Sequence, residues 1–548
     1  MNNVGSVTRC GGINLNRLTV GEVLRNSASN HPDNVAFVID EVSETYAQVL
    51  ENSVVEARSL LGAGVRPGDR VGILMPNCID FIHVLFGASL IGALAVPINA
   101  RLAPRELHHV ISHAGVKVLV TTKLVEEFAD YVERLHRAFP ELAEAPVGCT
   151  PTIGDLSTVV ILGSEGAAGM IDRAAWRSLG QGVTSDEVDL LSDDVKEDDN
   201  YIMMYTSGTT AMPKGCPLSH YAIVQSGIGI MKTFDIGSND RMWNPLPFFH
   251  VSSQAPMAAV MGAGATWISS VHFEPKAALM DIVEGEATMM WAAYPTLIEP
   301  LLSLPDYQSE SFKRVKMVLT CGPPDLLLSY QARLPFSTHV SCYGSTETGG
   351  AVILTPLDDP LEERITCGQP LPGIEMQIRD IVTNEPLPAN VKGALCVRGY
   401  NLFKGYWHNP EATAEVMDDE GWFNTGDLGA IDDSGSLLFL GRIKDMLKVG
   451  GENVASIEIE SFLCSHPAIA MAAVVGVPDQ KYSEVPAAFI EVRPGMTISE
   501  EEVLAFCQEG LAKFKVPKYV RFVTEWPMSL TKIRKYELRA QLSKEVQL

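Results

Sequence analysis

Short apolar runs alternate with amphipathic stretches over most of the chain. Residues 70–75, 116–122, 201–206 and 315–320 are rich in Val, Leu, Ile and Met and are bounded by Gly, Pro or polar residues, a pattern typical of buried strands. A helical pattern that starts at Arg105 precedes the second of these runs. Strands that alternate with helices predict an α/β fold with layered, mostly parallel sheets.

The longest apolar run, residues 84–98, contains Gly87, Gly92 and Pro97. It is shorter than the ~20 residues that a membrane span needs, so it predicts a buried helix that leads into a strand. The acidic segment at residues 180–199, with its Ser and Gly residues, predicts a surface loop.

The pattern changes after Gly441 and Arg442. The remaining residues predict two short strands and two helices, at residues 470–477, 487–493, 457–464 and 500–513. These elements suffice for a small α+β domain. We therefore expect a large N-terminal α/β domain over residues 1–441 and a small, mobile α+β domain over residues 442–548.

Composition and charge narrow the function. The chain has 548 residues, of which 46% are hydrophobic and 20% charged, a profile typical of a globular protein with more than one folding unit. The net charge of −25 argues against general nucleic-acid binding, because phosphate contacts need a basic surface. From Ile443 onwards, 13 Lys and Arg residues nearly balance 14 Asp and Glu residues. The basic cluster near the C-terminus suits either an anionic small molecule or a solvated helix face.

The ten cysteines are scattered and form no C-x-x-C pair. This argues against a zinc site or a disulfide scaffold and favours a reducing compartment. Most of the cysteines are expected to be small buried hydrophobes. The N-terminal sequence MNNVGSVTRCGG lacks the apolar stretch of a secretion signal. We therefore expect a cytoplasmic protein without a transmembrane segment.

Residues 206–215, TSGTTAMPKG, follow a predicted strand and precede a helical pattern that starts near Ser219. Their backbone N–H groups and hydroxyls could surround a polyphosphate while Lys214 offsets its charge. The segment is not a Walker A loop, because Met212 and Pro213 precede Lys214 and no Ser or Thr follows it. A flexible surface turn is the alternative for this loop on its own.

Four further segments carry candidate chemistry, although each alone would pass for an ordinary turn. They are YGSTE at residues 343–347, GWFNTGDL at residues 421–428, GRIKDMLKVGGEN at residues 441–453 and PMSLTKIRK at residues 527–535. The five segments, in this order, resemble the adenylate-forming superfamily. That group contains acyl-CoA synthetases, the adenylation domains of peptide synthetases and beetle luciferases. The resemblance covers nearly the whole chain.

The resemblance assigns most of the motif residues to ATP. It implies phosphate ligands at Thr206, Ser207, Gly208, Thr209, Thr210 and Lys214. It places the adenine among Tyr343, Gly344, Ser345 and the backbone of Cys321, Gly322 and Pro323. It implies that Thr346 contacts the α-phosphate, that Glu347 with Thr209 binds Mg²⁺, and that Asp427 and Arg442 hold the ribose.

The resemblance gives the central catalytic role to Lys532, which would bridge the substrate carboxylate and the α-phosphate. Two anions must approach each other in this reaction, so a positioned cation offsets their repulsion and the charge that develops. Lys535 ranks lower as a candidate.

Thiol transfer is expected to need a second arrangement of the small domain. In similar enzymes this domain rotates about a residue that matches Lys444. The rotation would withdraw the adenylating lysine and bring Lys448 with Gly450 and Gly451 toward the acyl-adenylate.

The acyl group is expected near His250, Val251 and Tyr294, although a packed structural histidine remains the alternative for His250. The surrounding residues are mostly apolar, which favours an aliphatic, aromatic or alicyclic acid. The chain departs from the family pattern at three places. Ala211 stands where relatives have Gly, C-G-P-P at residues 321–324 replaces the commoner G-G-A-P, and Lys532 lacks the usual preceding Gly.

These observations predict an AMP-forming carboxylic acid:CoA ligase that uses ATP, Mg²⁺ and coenzyme A. An acyl-AMP ligase that loads a separate carrier protein and a non-catalytic nucleotide-binding homologue remain the alternatives. A luciferase-like oxygenase activity and a homodimer also stay open.

Overall fold

Two seven-stranded sheets form the larger part of the fold. The computed structural model describes residues 9–10, 13–14, 18–163, 165–206, 212–449, 452–479, 481–528 and 533–546. The first sheet contains, in order, Lys214–Ser219, Asn200–Thr206, Leu94–Pro97, Arg70–Leu74, Val116–Thr122, Thr158–Leu162 and Ile171–Asp172. The second contains Thr338–Val340, Met317–Leu319, Met289–Trp291, Arg241–Trp243, Thr266–Ser269, Val35–Ile39 and Val42–Thr45. One terminal pair in each sheet is antiparallel and the other neighbours are parallel.

Helices cover these sheets and bury a large apolar core. They are Val20–Asn30, Tyr46–Gly62, Ile79–Leu90, Pro104–Ala114, Tyr131–Ala138, Pro140–Glu144, Arg173–Leu179, Ser185–Asp194, His220–Thr233, Gln254–Ala263, Pro275–Glu284, Pro295–Leu302, Pro324–Arg333, Leu361–Arg364 and Pro410–Ala414. The apolar run at residues 84–98 is a buried helix followed by the strand Leu94–Pro97, which confirms the prediction. Gly87 allows two helices to approach, because a Cβ there would lie 2.9 Å from the Ser53 carbonyl oxygen.

The prediction of a surface loop at residues 180–199 is wrong. A helix occupies Ser185–Asp194. It begins with a capping box, in which the Thr184 side chain accepts from the Glu187 N–H at 3.2 Å and the Glu187 carboxylate accepts from the Thr184 N–H at 2.7 Å. Val188 is buried on the inner face. The acidic residues therefore belong to the solvent side of an amphipathic helix.

Two smaller antiparallel sheets follow the second large sheet. One contains Cys342–Ser345, Gly350–Leu354 and Gln369–Pro370, and the other contains Ile374–Arg379, Gly393–Gly399, Phe423–Ile431 and Leu437–Arg442. The parallel arrangement predicted from the sequence thus holds for the two large sheets. The antiparallel pairing matters for the site, because it sets Asp427 directly opposite Arg442.

The elements predicted after residue 442 are confirmed. A further sheet contains Glu452–Val454, Leu447–Val449, Ser483–Val492, Ile469–Asp479 and Tyr519–Phe522, with helices at Ser456–Cys464, Glu500–Gly510 and Lys535–Val546. Arg493 pairs with Glu299 and the Ser461 hydroxyl with Asp325, so this part contacts the helices Pro295–Leu302 and Pro324–Arg333. Among the described residues, no helix has the length and apolar character needed to cross a membrane.

Candidate active site

A cleft of about 1400 Å³ opens at the carboxyl ends of strands from both large sheets. Pro97 and Thr206 end strands of the first sheet, and both line the cleft. Tyr294, Cys321 and Ser341 follow three neighbouring strands of the second sheet and line it as well. Parallel α/β sheets commonly bind ligands at this edge.

The two ends of the predicted phosphate loop lie on paired antiparallel strands. Thr206 ends one strand, Lys214 begins the next, and the two residues are paired across the antiparallel ladder. Lys214 is therefore held by a strand, Lys214–Ser219, that the sequence analysis missed. Both residues line the cleft, so a phosphate ligand would meet a lysine fixed by the sheet.

Tyr406 links Lys214 to Glu347. Its hydroxyl donates to the Glu347 Oε1 atom at 2.9 Å, and the Lys214 Nζ atom lies 3.9 Å from the centre of its ring. Burial and the nearby Glu347 charge raise the pKa of Tyr406, so it stays a hydrogen-bond donor. Sequence reasoning missed this residue, because no motif or spacing connects Tyr406 with Glu347. The contact fixes the cation and the carboxylate on one wall of the cleft.

The residues predicted to hold adenine and ribose meet around Asp427. The Tyr343 hydroxyl donates to Asp427 Oδ2 at 2.5 Å, and Arg442 Nε lies 2.7 Å from Asp427 Oδ1. The Asp427 carboxylate is buried and Tyr343 is nearly so. Burial, followed by the Asp427 charge, raises the pKa of Tyr343. The structure therefore brings these three predicted residues together as one polar cluster, in which Tyr343 and Asp427 are buried and Arg442 is partly exposed.

The chain segments on either side of this cluster also line the cleft. They supply Gly344, Ser345, Thr346, Cys321, Gly322 and Pro323. The Cys321 N–H donates to the Ala293 carbonyl at 3.0 Å, which joins its loop to the loop that carries Tyr294. The predicted adenine and acyl regions are thus adjacent.

His250, Val251 and Tyr294 form one end of the cleft together with Phe249, Trp291 and Ala293. The rings of His250 and Tyr294 lie 6.2 Å apart, edge to face. The Ser252 N–H donates to His250 Nδ1 at 3.2 Å, so the neutral imidazole carries its proton on Nε2. Ser252 also lines the cleft here, and the other side chains of this wall are apolar apart from the Tyr294 hydroxyl and the Trp291 ring N–H.

The part of the chain after residue 442 lines the cleft beside Asp427 and Arg442, at the end predicted to hold the nucleoside. Lys444 lines it, and burial lowers the pKa of Lys444. Ala455, Ile457 and Phe462 contribute from the segment that includes the helix Ser456–Cys464. Lys448 is exposed and does not line the cleft, and its backbone N–H donates to Glu484 at 3.0 Å. The structure thus brings Lys444 to the site and leaves Lys448 outside it.

Several predicted residues lie outside the described part of the chain. They are Ser207, Gly208, Thr209, Thr210, Ala211, Gly450, Gly451 and Lys532. The described neighbour Arg534 lies near Glu106, a residue of the cleft wall. The hydrogen bond to Glu537 raises the pKa of Arg534, and the charge of Glu106 adds a smaller effect.

Comparison with known families decides the assignment. The model for AMP-binding enzymes matches residues 24–407, and the model for the C-terminal domain of AMP-binding enzymes matches residues 458–534. The chain belongs to the AMP-binding enzyme family. This AMP-binding enzyme is 31% identical over 558 residues to a mitochondrial medium-chain acyl-CoA ligase of Rattus norvegicus, covering 97% of this chain and 88% of that protein.

Solved structures agree with the family. The AMP-binding enzyme matches ATP-bound MatB from Rhodopseudomonas palustris with a TM-score of 0.82 and 26% identity, over 96% of this chain and 100% of that one. It matches a fatty acyl CoA synthetase of Mycobacterium tuberculosis with a TM-score of 0.69 and 30% identity, over 96% of this chain and 99% of that one. The mixed α/β fold predicted from the sequence is therefore confirmed.

Proposed function

We propose that this AMP-binding enzyme is an ATP-dependent carboxylic acid:CoA ligase that acts on a hydrophobic acid. One observation carries the proposal. A single cleft joins the Lys214, Tyr406 and Glu347 cluster and the buried Asp427 cluster to an apolar end lined by Trp291 and Tyr294. Relatives that are named acyl-CoA ligases support the same activity.

In the first half-reaction the acid carboxylate attacks the α-phosphorus of ATP, and pyrophosphate leaves. Lys214 and the loop before it would hold the β- and γ-phosphates. Glu347 would hold Mg²⁺ together with the nucleotide phosphates, an arrangement that suits this ion. Among the described residues no cluster of three or more His, Cys, Asp or Glu side chains could hold a metal, so the phosphates would complete the site. Thr346 would contact the α-phosphate and Lys532 would offset the charge between the reacting groups.

In the second half-reaction the CoA thiol attacks the acyl carbon, and AMP leaves. We propose that residues 1–441 and 442–548 act as two domains and that the second rotates about Lys444 between the steps. The exposed position of Lys448 supports this proposal, because a residue that serves thiol transfer has no place in the cleft during adenylation. Gly450 and Gly451 would pass beside the acyl-adenylate, where a side chain would obstruct them.

The acid is proposed to be aliphatic, aromatic or alicyclic. The acyl end is bounded by Phe249, Val251, Trp291 and Ala293, and apolar surface favours an apolar ligand by about 25 cal/mol per Å² buried.

Pyrophosphate release should therefore be measured with MgATP and a graded set of acids, with and without CoA. We expect pyrophosphate release with hydrophobic acids. AMP and acyl-CoA should form together only when CoA is present. Preference for malonate would contradict the proposed acid class.

Variants connect this activity to the cleft. Glu347→Gln should lose most acid-dependent pyrophosphate release, whereas Lys232→Ala, on an exposed helix position outside the cleft, should behave as the parent protein. Pyrophosphate release without acyl-CoA would indicate an acyl-AMP ligase that loads another thiol. Absence of release with every acid, despite ATP binding, would indicate a non-catalytic homologue.

A further inference from the structure

Two thiols meet on the wall of the cleft at the place where the sequence departs from its family. Leu319 and Val340 are partners on neighbouring parallel strands, and Cys321 and Cys342 each follow two residues later. Neighbouring strands lie about 4.8 Å apart, within the Cα separations that disulfides span. The two Sγ atoms are 3.2 Å apart. The cysteines are thus placed to react with each other without a large movement of the backbone.

The two thiols differ in their surroundings. The Cys321 thiol donates to the Cys342 carbonyl oxygen at 3.3 Å, and the two sulfurs share a hydrogen bond in which either can be the donor. That hydrogen bond, together with burial, raises the pKa of Cys342. Cys342 is 6% exposed, whereas Cys321 is partly exposed, and both line the cleft. A reagent that enters from solvent reaches Cys321 first.

We propose that Cys321 and Cys342 form a reversible oxidation site that controls access of the nucleotide to the cleft. The oxidant is a peroxide. The Cys321 sulfur attacks one peroxide oxygen, the O–O bond breaks, and a sulfenic acid and one water form. The Cys342 sulfur then attacks the sulfenic sulfur, an S–S bond forms, and the hydroxyl leaves as a second water with the Cys342 proton. Two thiols are oxidised to one disulfide and the peroxide is reduced to two waters.

The position of the two cysteines explains why their oxidation should affect ATP binding. Cys342 directly precedes Tyr343, and Cys321 directly precedes Gly322 and Pro323. These two segments line the nucleoside end of the cleft. A bond between the sulfurs would draw these segments together. ATP affinity is therefore expected to fall on oxidation, and bound ATP is expected to slow oxidation by the same coupling. This consequence rests on the proposed function, whereas the chemistry of the pair does not.

The full chain should first be treated with hydrogen peroxide, alkylated and analysed by peptide mass spectrometry. We expect a linked Cys321–Cys342 peptide pair that is lower in mass by two hydrogen atoms and is lost after reduction. A link from Cys321 to Cys367, or alkylation of both Cys321 and Cys342 after treatment, would overturn the proposal. Phenylarsine oxide, which bridges two close thiols without oxidation, should bind this pair and be displaced by a dithiol.

The nucleotide effect should be measured as the ratio of ATP affinity before and after peroxide within each variant. We expect at least a tenfold loss in the parent protein, restored by dithiothreitol. Cys149→Ser removes an exposed thiol outside the cleft and should keep that loss. Cys321→Ala and Cys342→Ala should each abolish it. An equal, reducible loss in the two alanine variants would overturn the proposal. A disulfide in a protein that binds ATP but ligates no acid would instead contradict the proposed function alone.

Discussion

Tyr406 holds together the two charges on which phosphate chemistry would depend. Its ring faces Lys214 and its hydroxyl donates to Glu347. A cation over an aromatic ring gains roughly 0.5–2 kcal/mol. A carboxylate that accepts a hydrogen bond keeps a fixed orientation. We infer that Tyr406 positions Lys214 and Glu347, the residues proposed to bind phosphate and Mg²⁺, before ATP arrives.

Replacement of Tyr406 by Phe tests this positioning. The change keeps the ring under Lys214 and removes the hydrogen bond to Glu347. A hydrogen bond to a charged group contributes about 1.5–3 kcal/mol, so kcat/KM for MgATP should fall roughly tenfold to 100-fold. Steady-state kinetics at several Mg²⁺ concentrations should show a raised Mg²⁺ requirement. Tyr307→Phe, whose hydroxyl donates to a backbone carbonyl outside the cleft, is the matched control. Equal kinetics in the two variants would exclude the positioning role.

Asp427→Asn tests the nucleoside end. The substitution removes the charge opposite Arg442 and one acceptor oxygen, so the proposed ribose site loses both its charge balance and an acceptor. We expect the Kd for ATP to rise at least roughly tenfold, about 1.4 kcal/mol, in a calorimetric titration. Asp433→Asn, at an exposed turn, should bind ATP as the parent protein does. Unchanged affinity in Asp427→Asn would remove this residue from the nucleotide site.

At the residue scale the sequence predicted side chains that belong to ordered motifs. Lys214, Glu347, Asp427 and His250 all line the cleft. It did not predict Tyr406, which lies 59 residues from its partner Glu347. The Cys321 and Cys342 contact was also missed, because the spacing of two cysteines does not reveal that their strands are neighbours. Such contacts depend on how segments that are distant in sequence meet in the folded chain.

Elements are joined by buried polar groups whose titration should affect stability. His220 begins the helix His220–Thr233 and accepts from the Val20 N–H at 3.2 Å, which ties that helix to Val20–Asn30. Burial lowers the pKa of His220 to about 3. Burial also lowers the pKa of His339 to about 3, with a smaller contribution from the Arg364 charge. Both histidines are therefore neutral in the folded protein at neutral pH.

Acidification should destabilise the fold through these two histidines. Between about pH 6.5, the usual histidine pKa, and pH 3 the unfolded chain binds more protons than the folded one. Stability is thus kept above pH 6.5 and falls as the pH decreases, by up to about 1.4 kcal/mol per pH unit for each group. The apparent Tm from calorimetry should fall between pH 7.5 and 5.5, and less steeply in His220→Gln. The exposed His108→Gln should keep the parent slope, and an unchanged slope in His220→Gln would contradict the argument.

At the element scale, hydrophobic periodicity predicted two strands and two helices after residue 442 and five strands of the large sheets, which are Arg70–Leu74, Leu94–Pro97, Val116–Thr122, Asn200–Thr206 and Met317–Leu319. It missed the strand Lys214–Ser219, because Gly, Cys and Pro in KGCPLS carry little strand signal. The strand forms through its pairing with Asn200–Thr206. It also missed the helix Ser185–Asp194, because this helix has few buried residues and its sequence resembles that of a polar loop. The capping box at Thr184 was the available signal.

The two parts of the molecule are joined by an ion cluster around Glu299. The Glu299 carboxylate is buried, pairs with Arg333 at 2.9 Å and also pairs with Arg493 from the C-terminal part. A buried carboxylate that loses a partner is costly. This cluster therefore favours the observed arrangement, in which Lys444 lines the cleft and Lys448 does not.

Arg493→Ala should weaken this arrangement without touching the cleft. We expect acid-dependent pyrophosphate release to slow roughly tenfold, about 1.4 kcal/mol, while thiol transfer from supplied acyl-AMP changes little. Rapid-quench measurement of each half-reaction provides the comparison. Arg137→Ala, which breaks an exposed pair with Glu133, is the control. Equal slowing of both half-reactions would point to general destabilisation instead.

The proposed rotation predicts opposite effects for two lysines. Lys532→Ala should abolish adenylation and leave thiol transfer from supplied acyl-AMP largely intact. Lys448→Ala should show the reverse. The same rapid-quench assay separates them. Normal thioester formation in Lys448→Ala, or equal slowing of both steps in Lys532→Ala, would contradict the two-domain account.

At the scale of the whole molecule, the sequence predicted a large α/β part followed by a small α+β part. Their relative placement depends on long-range contacts such as Arg493 with Glu299 and Ser461 with Asp325. In the sequence these four residues are ordinary polar positions, with no pattern that distinguishes them from solvated side chains.

The most direct test of the central claim follows the oxygen atoms of the acid. The protein should be supplied with MgATP, CoA and a medium-chain carboxylic acid labelled with ¹⁸O in its carboxylate, and the products should be analysed by mass spectrometry. Attack of the carboxylate on the α-phosphorus predicts that each AMP carries one labelled oxygen and that the acyl-CoA retains the other. Unlabelled AMP, or formation of ADP in its place, would contradict an acyl-adenylate pathway.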